Sequence, residues 1–459
     1  MGGEKNPPRS IRPGDREYDE ARSVWNGMID GRPAEVVPCR TPEEVAEVIR
    51  SARDGGLPLA VRGGGHNVAG FGTVDDGVVI DLGPMNGVEV DPDKREALVG
   101  GGARLKDLDS ATQAHGLVVP AGVVSDTGVA GLTLGGGMGW LRGKWGLTCD
   151  NLLEAQVVLA DGQIVWASEA ERPDLLWGLK GGGGNFGVVT RFRFRAHALG
   201  PEVAFAFVFH DGRRGGMKKA VQHFRDFCAQ APDEISPLLA LGTVPPGGGE
   251  VFPKEMEGTP FALMGAMYAG PVEEGMKALE PLRTFAEPLA DFSGPFPYVD
   301  AQKILDEDFP ARELRYYWKS TNLPALGDDL IEVVVDRARR QPSPLSTTDL
   351  WHVGGAVSRA SEASAAYAGR DAAYLLNFEA NWKDPVQDEE NLAWVRESLE
   401  AVSEWADHRM YLNFPGFHEG GTATMRKTYG GKYEKLRALK RRYDPENVFR
   451  INQNIDPAA

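Results

Sequence analysis

The amino-acid sequence predicts an α+β protein, with an N-terminal ligand-binding domain, a central domain and a C-terminal segment that returns to the first domain. Two observations lead to this prediction. Short strand-like runs alternate with helical periodicities along the chain. Three glycine clusters beside predicted strands precede residue 200, whereas aromatic residues, prolines and mixed helix and strand patterns replace them from there to about residue 410. We therefore place a change of domain near residue 200.

The composition indicates the broad class of the protein. Its 459 residues are 42% hydrophobic and 25% charged, as expected for two or three globular domains. The formal net charge of −16 argues against nucleic acids and anionic membranes as partners, because both repel an acidic surface. We expect a small-molecule substrate instead.

The cysteines and the N-terminus bear on location. Cys39, Cys149 and Cys228 contain no CxxC pair and are odd in number, which argues against a disulfide framework and against a zinc site. The first twenty residues lack the apolar core of a secretory signal. No stretch reaches the ~18 apolar residues of a membrane span. We expect a cytoplasmic protein without a bound metal.

Local signals define most N-terminal elements. Thr41 as N-cap, Pro42 at the first helical position and Glu44 at the third predict a helix that ends at Gly55-Gly56. The hairpin signal Asp161-Gly162 lies between two strand-like runs. Strands are predicted at 57–61, 77–82, 88–90, 97–99, 156–159, 163–167 and 188–194, and further helices at 104–115, 214–229, 272–286 and 433–442.

The glycine clusters carry the first functional signal. Glycine allows positive φ and close approach of the backbone to a ligand, and a run of such residues can direct several N–H groups at one anion. The strand leading into RGGGHN at 62–67 therefore predicts a pyrophosphate cradle. One such run could equally be a tight turn, but three runs beside strands favour binding. The sequence has neither a P-loop nor a Rossmann fingerprint.

His66 lies inside the first glycine loop. It either caps a turn or takes part in flavin chemistry. A neutral imidazole nitrogen beside the 8-methyl group of an isoalloxazine can form a permanent bond to it. The RGGGHN loop would place an imidazole next to a diphosphate, with no bulky neighbour between them.

Long motifs identify a family. They are RGGGHNVAGFG at 62–72, GVVIDLGPMNGVEVDP at 77–92, GVAGLTLGGGMGWLRGKWGLTCDNL at 128–152, VVLADGQIV at 157–165, LLWGLKGGGGNFGVVTRFRF at 175–194 and YGGKYEKLRALKRRYDPENVFRINQNIDP at 429–457. These motifs resemble the berberine bridge enzyme-like flavoproteins of the vanillyl-alcohol oxidase group. The resemblance implies a two-part PCMH-type FAD-binding domain plus a substrate domain with an antiparallel sheet backed by helices. The implied limits are 1–199 for the FAD domain, 200–414 for the substrate domain and 415–459 for the returning segment.

The resemblance also implies roles for individual residues. His66 would carry a covalent bond to the flavin 8α carbon. The remaining residues that would contact FAD are Arg62, Gly63, Gly64, Gly65 and Asn67 at the pyrophosphate, Thr127, Gly128, Gly131, Gly135, Gly137 and Gly139 along the flavin, Val188 and Val189 at the adenine, and Asn452 and Asn454 near the isoalloxazine.

Two departures from the family pattern stand out. Val124 occupies the position of a cysteine that forms a second flavin bond in many members, so we expect attachment through His66 alone and a buried, unreactive Cys149. The usual catalytic base is also missing, because Phe414 replaces a tyrosine and Leu375 replaces a glutamate.

Four residues remain as candidates for the catalytic site. Tyr411 and Asn413 lie at the family position, and on a strand they would share one face while Phe414 points away. Tyr374 and His352 come from the substrate domain, and for each candidate taken alone packing is the better interpretation. We rank Tyr411 first.

The implied activity is oxidation of a small alcohol, sugar or oligosaccharide by hydride transfer to flavin N5, with O2 as acceptor and a monomeric or homodimeric enzyme. One alternative is a tailoring oxidase or cyclase that acts on an aromatic secondary metabolite. Another is a flavin-binding protein that has lost catalysis, which the missing base favours.

Overall fold

The part of the chain that the structure describes contains four β-sheets: three small ones formed before residue 200 and one of eight strands formed after it. The structure, a computed structural model, describes residues 9–248, 252–417, 419 and 421–458. Residues 1–8, the start of the predicted FAD domain and of the stretch considered for a secretory signal, lie outside the described residues.

The N-terminal part combines a parallel and an antiparallel sheet. Its strands are β1 (Glu35–Pro38), β2 (Leu59–Arg62), β3 (Val78–Asp81), β4 (Val88–Asp91), β5 (Glu96–Gly100), β6 (Leu117–Val118), β7 (Leu152–Val158), β8 (Ile164–Ser168), β9 (Val188–Arg195) and β10 (His197–Ala198). The order β1-β3-β2 is parallel, β4-β5-β9-β7-β8 is antiparallel, and β6 pairs with β10. The helices are α1 (Tyr18–Arg22), α2 (Pro42–Asp54), α3 (Leu105–Gln113), α4 (Val129–Leu134), α5 (Arg142–Trp145) and α6 (Pro173–Leu179).

The local signals explain these elements. The hydroxyl of Thr41 accepts from the backbone N–H of Glu44, which caps α2 as predicted. Helical spacing then buries Val45, Val48, Ile49 and Ala52 on one side of α2. Both predicted hairpins, β4–β5 and β7–β8, form as antiparallel pairs. The predicted helix at 272–286 is two shorter helices, because Leu279 separates them.

The eight-stranded sheet is antiparallel and is covered by helices on one face. Its strands are β11 (Glu202–Asp211), β12 (Ile235–Thr243), β13 (Pro260–Tyr268), β14 (Pro288–Asp291), β15 (Gly294–Pro297), β16 (Arg315–Leu323), β17 (Thr347–His352) and β18 (Tyr374–Trp382), in the order β14-β11-β13-β12-β17-β18-β16 with β15 also on β11. The helices of this part are α7 (Gly216–Cys228), α8 (Val272–Ala278), α9 (Glu280–Thr284), α10 (Tyr298–Ala301), α11 (Asp328–Arg339), α12 (Ala356–Arg359) and α13 (Asp388–Ala401). This arrangement confirms the predicted fold class.

Alternation along β18 sorts its side chains onto two faces. Tyr374, Leu376 and Phe378 pack in one core with α7, α11 and α13. Leu375 belongs to a different core, which contains Trp140 and Tyr411. The second face of the sheet therefore looks toward the N-terminal part of the chain, and this geometry positions the site.

The C-terminal helices α14 (Gly421–Tyr429) and α15 (Tyr433–Tyr443) pack in the same core as Leu175 and Phe186. At the end of α15, Lys440 and the next residue after the helix, Asp444, form a fully buried ion pair, and Lys440 Nζ also donates to the carbonyl oxygens of Asn185 and Phe449. The chain thus returns to its N-terminal part, although the exact domain limits stay a prediction.

Seven short 3-10 helices complete the described structure: Thr148–Asn151, Lys254–Met256, Asp306–Asp308, Glu362–Ser364, Pro385–Gln387, Ser403–Trp405 and Gly430–Lys432. Within the residues described, no helix has both the length and the apolar character that crossing a membrane requires.

Candidate active site

A long cavity lies between the glycine loops, the eight-stranded sheet and the C-terminal segment. Two glycine-rich walls face each other, at residues 62–67 and 127–135. Residues 183–189 and 449–453 line a further part. The large sheet contributes Leu238, Trp318, Asp349, Trp351 and Glu379. The cavity therefore joins the glycine loops to the second face of the sheet.

The two glycine loops touch backbone to backbone. A Cβ on Gly64 would lie 2.4 Å from the nitrogen of Gly128, and a Cβ on Gly128 would lie 2.3 Å from the nitrogen of Gly64. Neither position has room for a side chain. Gly65 has φ +72°, which also favours glycine. These contacts explain why the loop that carries His66 is built from glycine.

The Arg62 side chain anchors the start of this loop to neighbouring residues. Its guanidinium forms an ion pair with Asp81 at 3.1 Å and donates to the carbonyl oxygen of Ser23 at 3.2 Å. The side chain is buried and paired inside the fold. Arg62 therefore lies beside the glycine loop with its charge already paired, and its contact with a diphosphate stays a prediction.

The His66 ring is packed and retains an unused nitrogen. Trp25 stacks on it with ring centroids 4.8 Å apart. Nδ1 lies 3.5 Å from the Thr127 hydroxyl oxygen, whereas Nε2 is buried without a hydrogen-bond partner among the described residues. Burial lowers the pKa of His66, so the imidazole is neutral at pH 7. A neutral imidazole is the form that can bond to an electrophilic carbon.

Asp126 is the charged group nearest to the imidazole. Its Oδ2 lies 3.7 Å from His66 Nε2, beyond hydrogen-bond distance. The same carboxylate pairs with Arg104, and with Lys106 at 2.9 Å. Burial raises the pKa of Asp126, but the neighbouring His66 and Lys106 side chains and the charge of Arg104 outweigh it and hold the pKa well below its usual range. Asp126 is therefore a fixed negative charge beside His66.

Most of the predicted FAD contacts line this cavity. They are Arg62, Gly63, Gly64, Gly65, His66, Asn67, Thr127, Gly128, Gly131, Gly135, Val188, Val189 and Asn452. A Cβ on Gly131 would meet no atom within 4 Å, so this glycine leaves open space on the cavity side. Asn452 donates to the carbonyl oxygens of Gly184 and Phe449, and its own Oδ1 is buried without a partner among the described residues.

Three predicted FAD contacts are not among the lining residues. A Cβ on Gly137 would lie 2.2 Å from the Thr148 hydroxyl oxygen, and one on Gly139 would lie 1.6 Å from the carbonyl oxygen of Ala121. Both glycines are required for internal packing. Asn454 also lies outside the lining. Contact of Gly137, Gly139 and Asn454 with FAD stays a prediction.

The residues that would exclude a second flavin bond lie as expected. Val124 lines the cavity with an apolar side chain. Cys149 is fully buried beside Met138 and Trp140, and burial raises the pKa of its thiol. Cys149 is therefore held as an unreactive thiol.

Tyr411 and Asn413 lie together in the cavity wall, but on a turn. The N–H of Phe414 donates to the carbonyl oxygen of Tyr411 at 2.9 Å. Because the segment is a turn and not a strand, Phe414 lines the same cavity instead of pointing away. The expectation about Phe414 was therefore wrong.

The Tyr411 hydroxyl is used within the protein. Its oxygen accepts from the backbone N–H groups of Gly137 at 3.1 Å and Met138 at 2.9 Å, and from Asn413 Nδ2 at 2.8 Å. Burial raises the pKa of Tyr411 to about 12, despite these donors. The three donors favour the ionised oxygen, but burial outweighs them, so the hydroxyl keeps its proton at neutral pH and the catalytic role of Tyr411 stays a prediction.

Tyr374 and His352 point away from the cavity. Alternation along β17 and β18 places both on the helix-covered face of the sheet, where their rings lie 5.8 Å apart. Tyr374 packs in the core with Phe224, and burial lowers the pKa of His352 to about 4. The sequence placed them on the substrate wall because it did not determine which face each residue occupies.

The sequence interpretation missed a pair of acids. Asp349 on β17 and Glu379 on β18 line the cavity and are almost fully buried. Asp349 Oδ1 and Glu379 Oε2 are buried without a hydrogen-bond partner among the described residues. Burial raises the pKa of both, and the charge of Asp349 raises that of Glu379 further. The sequence did contain a signal for this pair: each of the mostly apolar runs 347–353 and 374–382 contains a single acidic residue.

The site fits FAD. The neutral His66, with its unused nitrogen, adjoins a backbone cradle in which Gly64 and Gly128 leave no room for a side chain. From there the cavity passes Gly131, which has open space beside it, and reaches Asp349 and Glu379 among aromatic rings. Within the described ranges, no cluster of three or more His, Cys, Asp or Glu side chains could hold a metal ion.

Comparisons with known proteins agree with this geometry. A model described as FAD binding domain matches residues 33–168, and one described as Berberine and berberine like matches residues 410–456. The FAD-linked oxidoreductase YvdP of Bacillus subtilis (strain 168) is 30% identical over 469 residues, covering 100% of both chains.

Two solved structures have the same fold. The 6-hydroxy-D-nicotine oxidase from Arthrobacter nicotinovorans superposes with a TM-score of 0.87 at 27% identity, covering 98% of both chains. A xylooligosaccharide oxidase from Myceliophthora thermophila C1, solved with xylobiose, superposes with a TM-score of 0.86 at 23% identity and 98% coverage of both chains. At this identity the second likeness concerns the fold alone.

Proposed function

The chain belongs to the berberine bridge enzyme-like family of FAD-linked oxidoreductases, and on this basis we propose that it carries one FAD bonded to His66 and oxidises a small organic substrate at the acid pair. The observation that carries the proposal is the neutral, buried His66 ring with an unused nitrogen inside the glycine cradle.

Each wall of the cavity has a role in this proposal. Bound FAD supplies a hydride acceptor at N5. The backbone N–H groups of the RGGGHN loop bind its diphosphate, and Gly131 leaves room for the ring system. Val124 offers no sulfur for a second bond, so attachment is through His66 alone.

Proton removal is assigned to the acid pair. Burial raises the pKa of both carboxyl groups toward the range of a general base, and Asp349 Oδ1 and Glu379 Oε2 have no hydrogen-bond partner among the described residues. Both line the same cavity as His66, whereas burial raises the pKa of Tyr411 to about 12. Asn413 acts as a positioning residue, because it donates to both Tyr411 and the carbonyl oxygen of Leu132.

The cavity walls favour an aromatic or apolar substrate body. Phe309, Phe414, Trp318 and Trp351 all line the part that contains the acid pair. Of the substrate classes expected from the sequence, this wall favours an aromatic metabolite over an oligosaccharide. A small alcohol that contains an aromatic ring also fits. The acid pair argues against a flavin-binding protein that has lost catalysis.

Acid precipitation of the purified protein tests the attachment. We expect the pellet to remain yellow for the native protein and for His223→Ala, a control that changes a half-buried histidine of α7 outside the cavity lining. His66→Ala should release its colour into the supernatant. A yellow His66→Ala pellet would place the bond elsewhere.

Several finer properties stay part of the proposal. We propose O2 as the acceptor, and rapid reoxidation when air is admitted to the anaerobically reduced enzyme would support it, whereas reoxidation over many minutes would indicate a dehydrogenase. We also propose a cytoplasmic monomer or homodimer, and its three free, buried cysteines agree with a reducing compartment.

A further inference from the structure

Trp25 joins the loop that carries His66 to the segment that leads into β16. Its backbone N–H donates to the carbonyl oxygen of Gly65 at 3.0 Å, and its indole Nε1 donates to the carbonyl oxygen of Phe309 at 3.0 Å. The carbonyl oxygen of Trp25 in turn accepts from the N–H of Arg312 at 2.8 Å. Trp25 is only 4% exposed, and these three bonds fix it between the N-terminal and the central parts of the chain.

The Trp25 ring stacks on two other rings. Its centroid lies 3.7 Å from that of Tyr316, with the planes at 15°, and 4.8 Å from that of His66, with the planes at 20°. Tyr316 is fully buried on β16, its backbone N–H donates to Asn26 Oδ1, and its hydroxyl donates to the carbonyl oxygen of Pro310. Because Tyr316 is itself held in place, it restricts tilting of the Trp25 ring, and the Trp25 ring restricts the His66 ring.

Hydrogen bonds do not fix the plane of the His66 ring. Nδ1 lies 3.5 Å from the Thr127 hydroxyl oxygen, at the outer limit of a hydrogen bond, and Nε2 has no hydrogen-bond partner among the described residues. The bond between Cβ and the imidazole rotates over a broad range of angles, because it joins an sp3 carbon to an sp2 carbon. The stacked Trp25 ring is therefore the contact that selects one orientation of the imidazole.

We propose that Trp25 is a positioning residue for flavin attachment, which holds the His66 imidazole in the orientation from which it bonds to FAD. In the net reaction, an imidazole N–H bond and a C–H bond of the flavin 8-methyl group break, and an N–C bond forms. The two hydrogens leave with two electrons, and O2 accepts them as H2O2. Tyr316 supports the ring of Trp25 and acts through it. This inference rests on the proposed function, since it concerns how the proposed bond forms.

The rate of bond formation in the full chain tests the inference. Synthesis is induced briefly and stopped, cells are harvested at intervals, and the purified protein is precipitated with acid, so that the share of its flavin in the pellet follows attachment. Trp25→Leu removes the ring and should slow attachment by roughly two- to tenfold, whereas Trp25→Phe keeps a ring and should stay within about twofold of the native rate. Trp145→Leu is the matched control, because Trp145 stacks on His197 outside the cavity at 4.6 Å and 13°.

Two measurements on the same samples separate positioning from a general loss of structure. They are the total flavin per protein and the Tm. We expect the total flavin of folded Trp25→Leu to stay near the native value while the attached share of that flavin lags behind. Tyr316→Leu, which removes the supporting ring, should slow attachment in the same direction. If Trp25→Leu does not fold, a native rate in Tyr316→Leu overturns the inference.

A native rate in Trp25→Leu, or equal slowing in Trp25→Leu and Trp25→Phe, would overturn the inference while the proposed function stands. A fall in total flavin with no change in its attached share would also overturn it, because Trp25 would then stabilise the fold without positioning His66. A native pellet without flavin would instead contradict the proposed bond itself, and the inference with it.

Discussion

Substitution of Gly64 by alanine probes the contact on which the cradle depends. The added Cβ would lie 2.4 Å from the Gly128 nitrogen and 2.5 Å from its Cα, where ordinary contact begins at 3.4 Å. The loops must therefore separate by about 1 Å. Overpacking of this kind costs about 1–3 kcal/mol, and a unit of about 200 residues loses roughly 2–4 °C of Tm for each kcal/mol.

We therefore expect Gly64→Ala to lower the Tm by roughly 2–12 °C and to reduce the flavin content, because the same separation opens the diphosphate cradle. Scanning fluorimetry measures the first effect, and the ratio of flavin to protein absorbance measures the second. Gly128→Ala makes the reciprocal contact at 2.3 Å and should behave alike. Gly87→Ala is the control, because a Cβ there meets no atom within 4 Å.

The reasoning is refuted if Gly64→Ala matches Gly87→Ala in both Tm and flavin content. A lower Tm with full flavin content would separate the two effects. It would show that the contact stabilises the fold but does not shape the cradle.

Three further substitutions test other parts of the account. Asp126→Asn should lower the covalently bound fraction of flavin, because it removes the charge beside His66. The exposed control Asp93→Asn should leave that fraction unchanged. Equal fractions of bound flavin in the two variants on denaturing gels would contradict this. Tyr411→Phe leaves two backbone N–H groups without their acceptor, so it should lower the free energy of unfolding in urea by about 1–3 kcal/mol. Tyr433→Phe is the control: it removes a buried hydroxyl that has no partner among the described residues, and it should leave the free energy of unfolding unchanged. Burial raises the pKa of Asp109 from 3.8 to about 7, so its folded form resists ionisation and stability is lost as the pH rises through that range. Asp109→Asn should therefore be more stable than the native protein at pH 8 by up to about 4 kcal/mol and equal to it near pH 4; an equal difference at both pH values would contradict the assignment.

The N-terminal elements were predictable because local signals determine them. Thr41, Pro42 and Glu44 define a capped helix, and Asp161-Gly162 defines a hairpin, without reference to the rest of the chain. The glycine loops were recognisable for a related reason. Close backbone contact at Gly64 and Gly128 excludes every residue except glycine, so the contact can be inferred from the glycines in the sequence.

The wall of the cavity that contains Asp349 and Glu379 was harder to predict because it depends on strand pairing. Asp349 and Glu379 are thirty residues apart and meet only because β17 lies beside β18. Nothing local shows that Tyr374 faces the helices while Glu379 faces the cavity, since a shift of one residue exchanges the two faces. The turn at Tyr411 likewise reversed the expected direction of Phe414.

Gly137 and Gly139 show a second limit of sequence reasoning. Their position in a glycine-rich motif suggested ligand contact, but their missing side chains make room for Thr148 and for the carbonyl of Ala121. A glycine required by packing and a glycine required by a ligand look the same in a sequence. Only the neighbouring atoms separate the two cases.

The bond between His66 and FAD is the central claim, and peptide mass spectrometry tests it most directly. After denaturation and proteolysis, we expect the peptide that contains His66 to carry the mass of one FAD, with fragmentation placing it on the imidazole. Peptides that contain Cys39, Cys149 or Cys228 should be unmodified. An unmodified His66 peptide from yellow protein, or the added mass on a cysteine, would contradict the account.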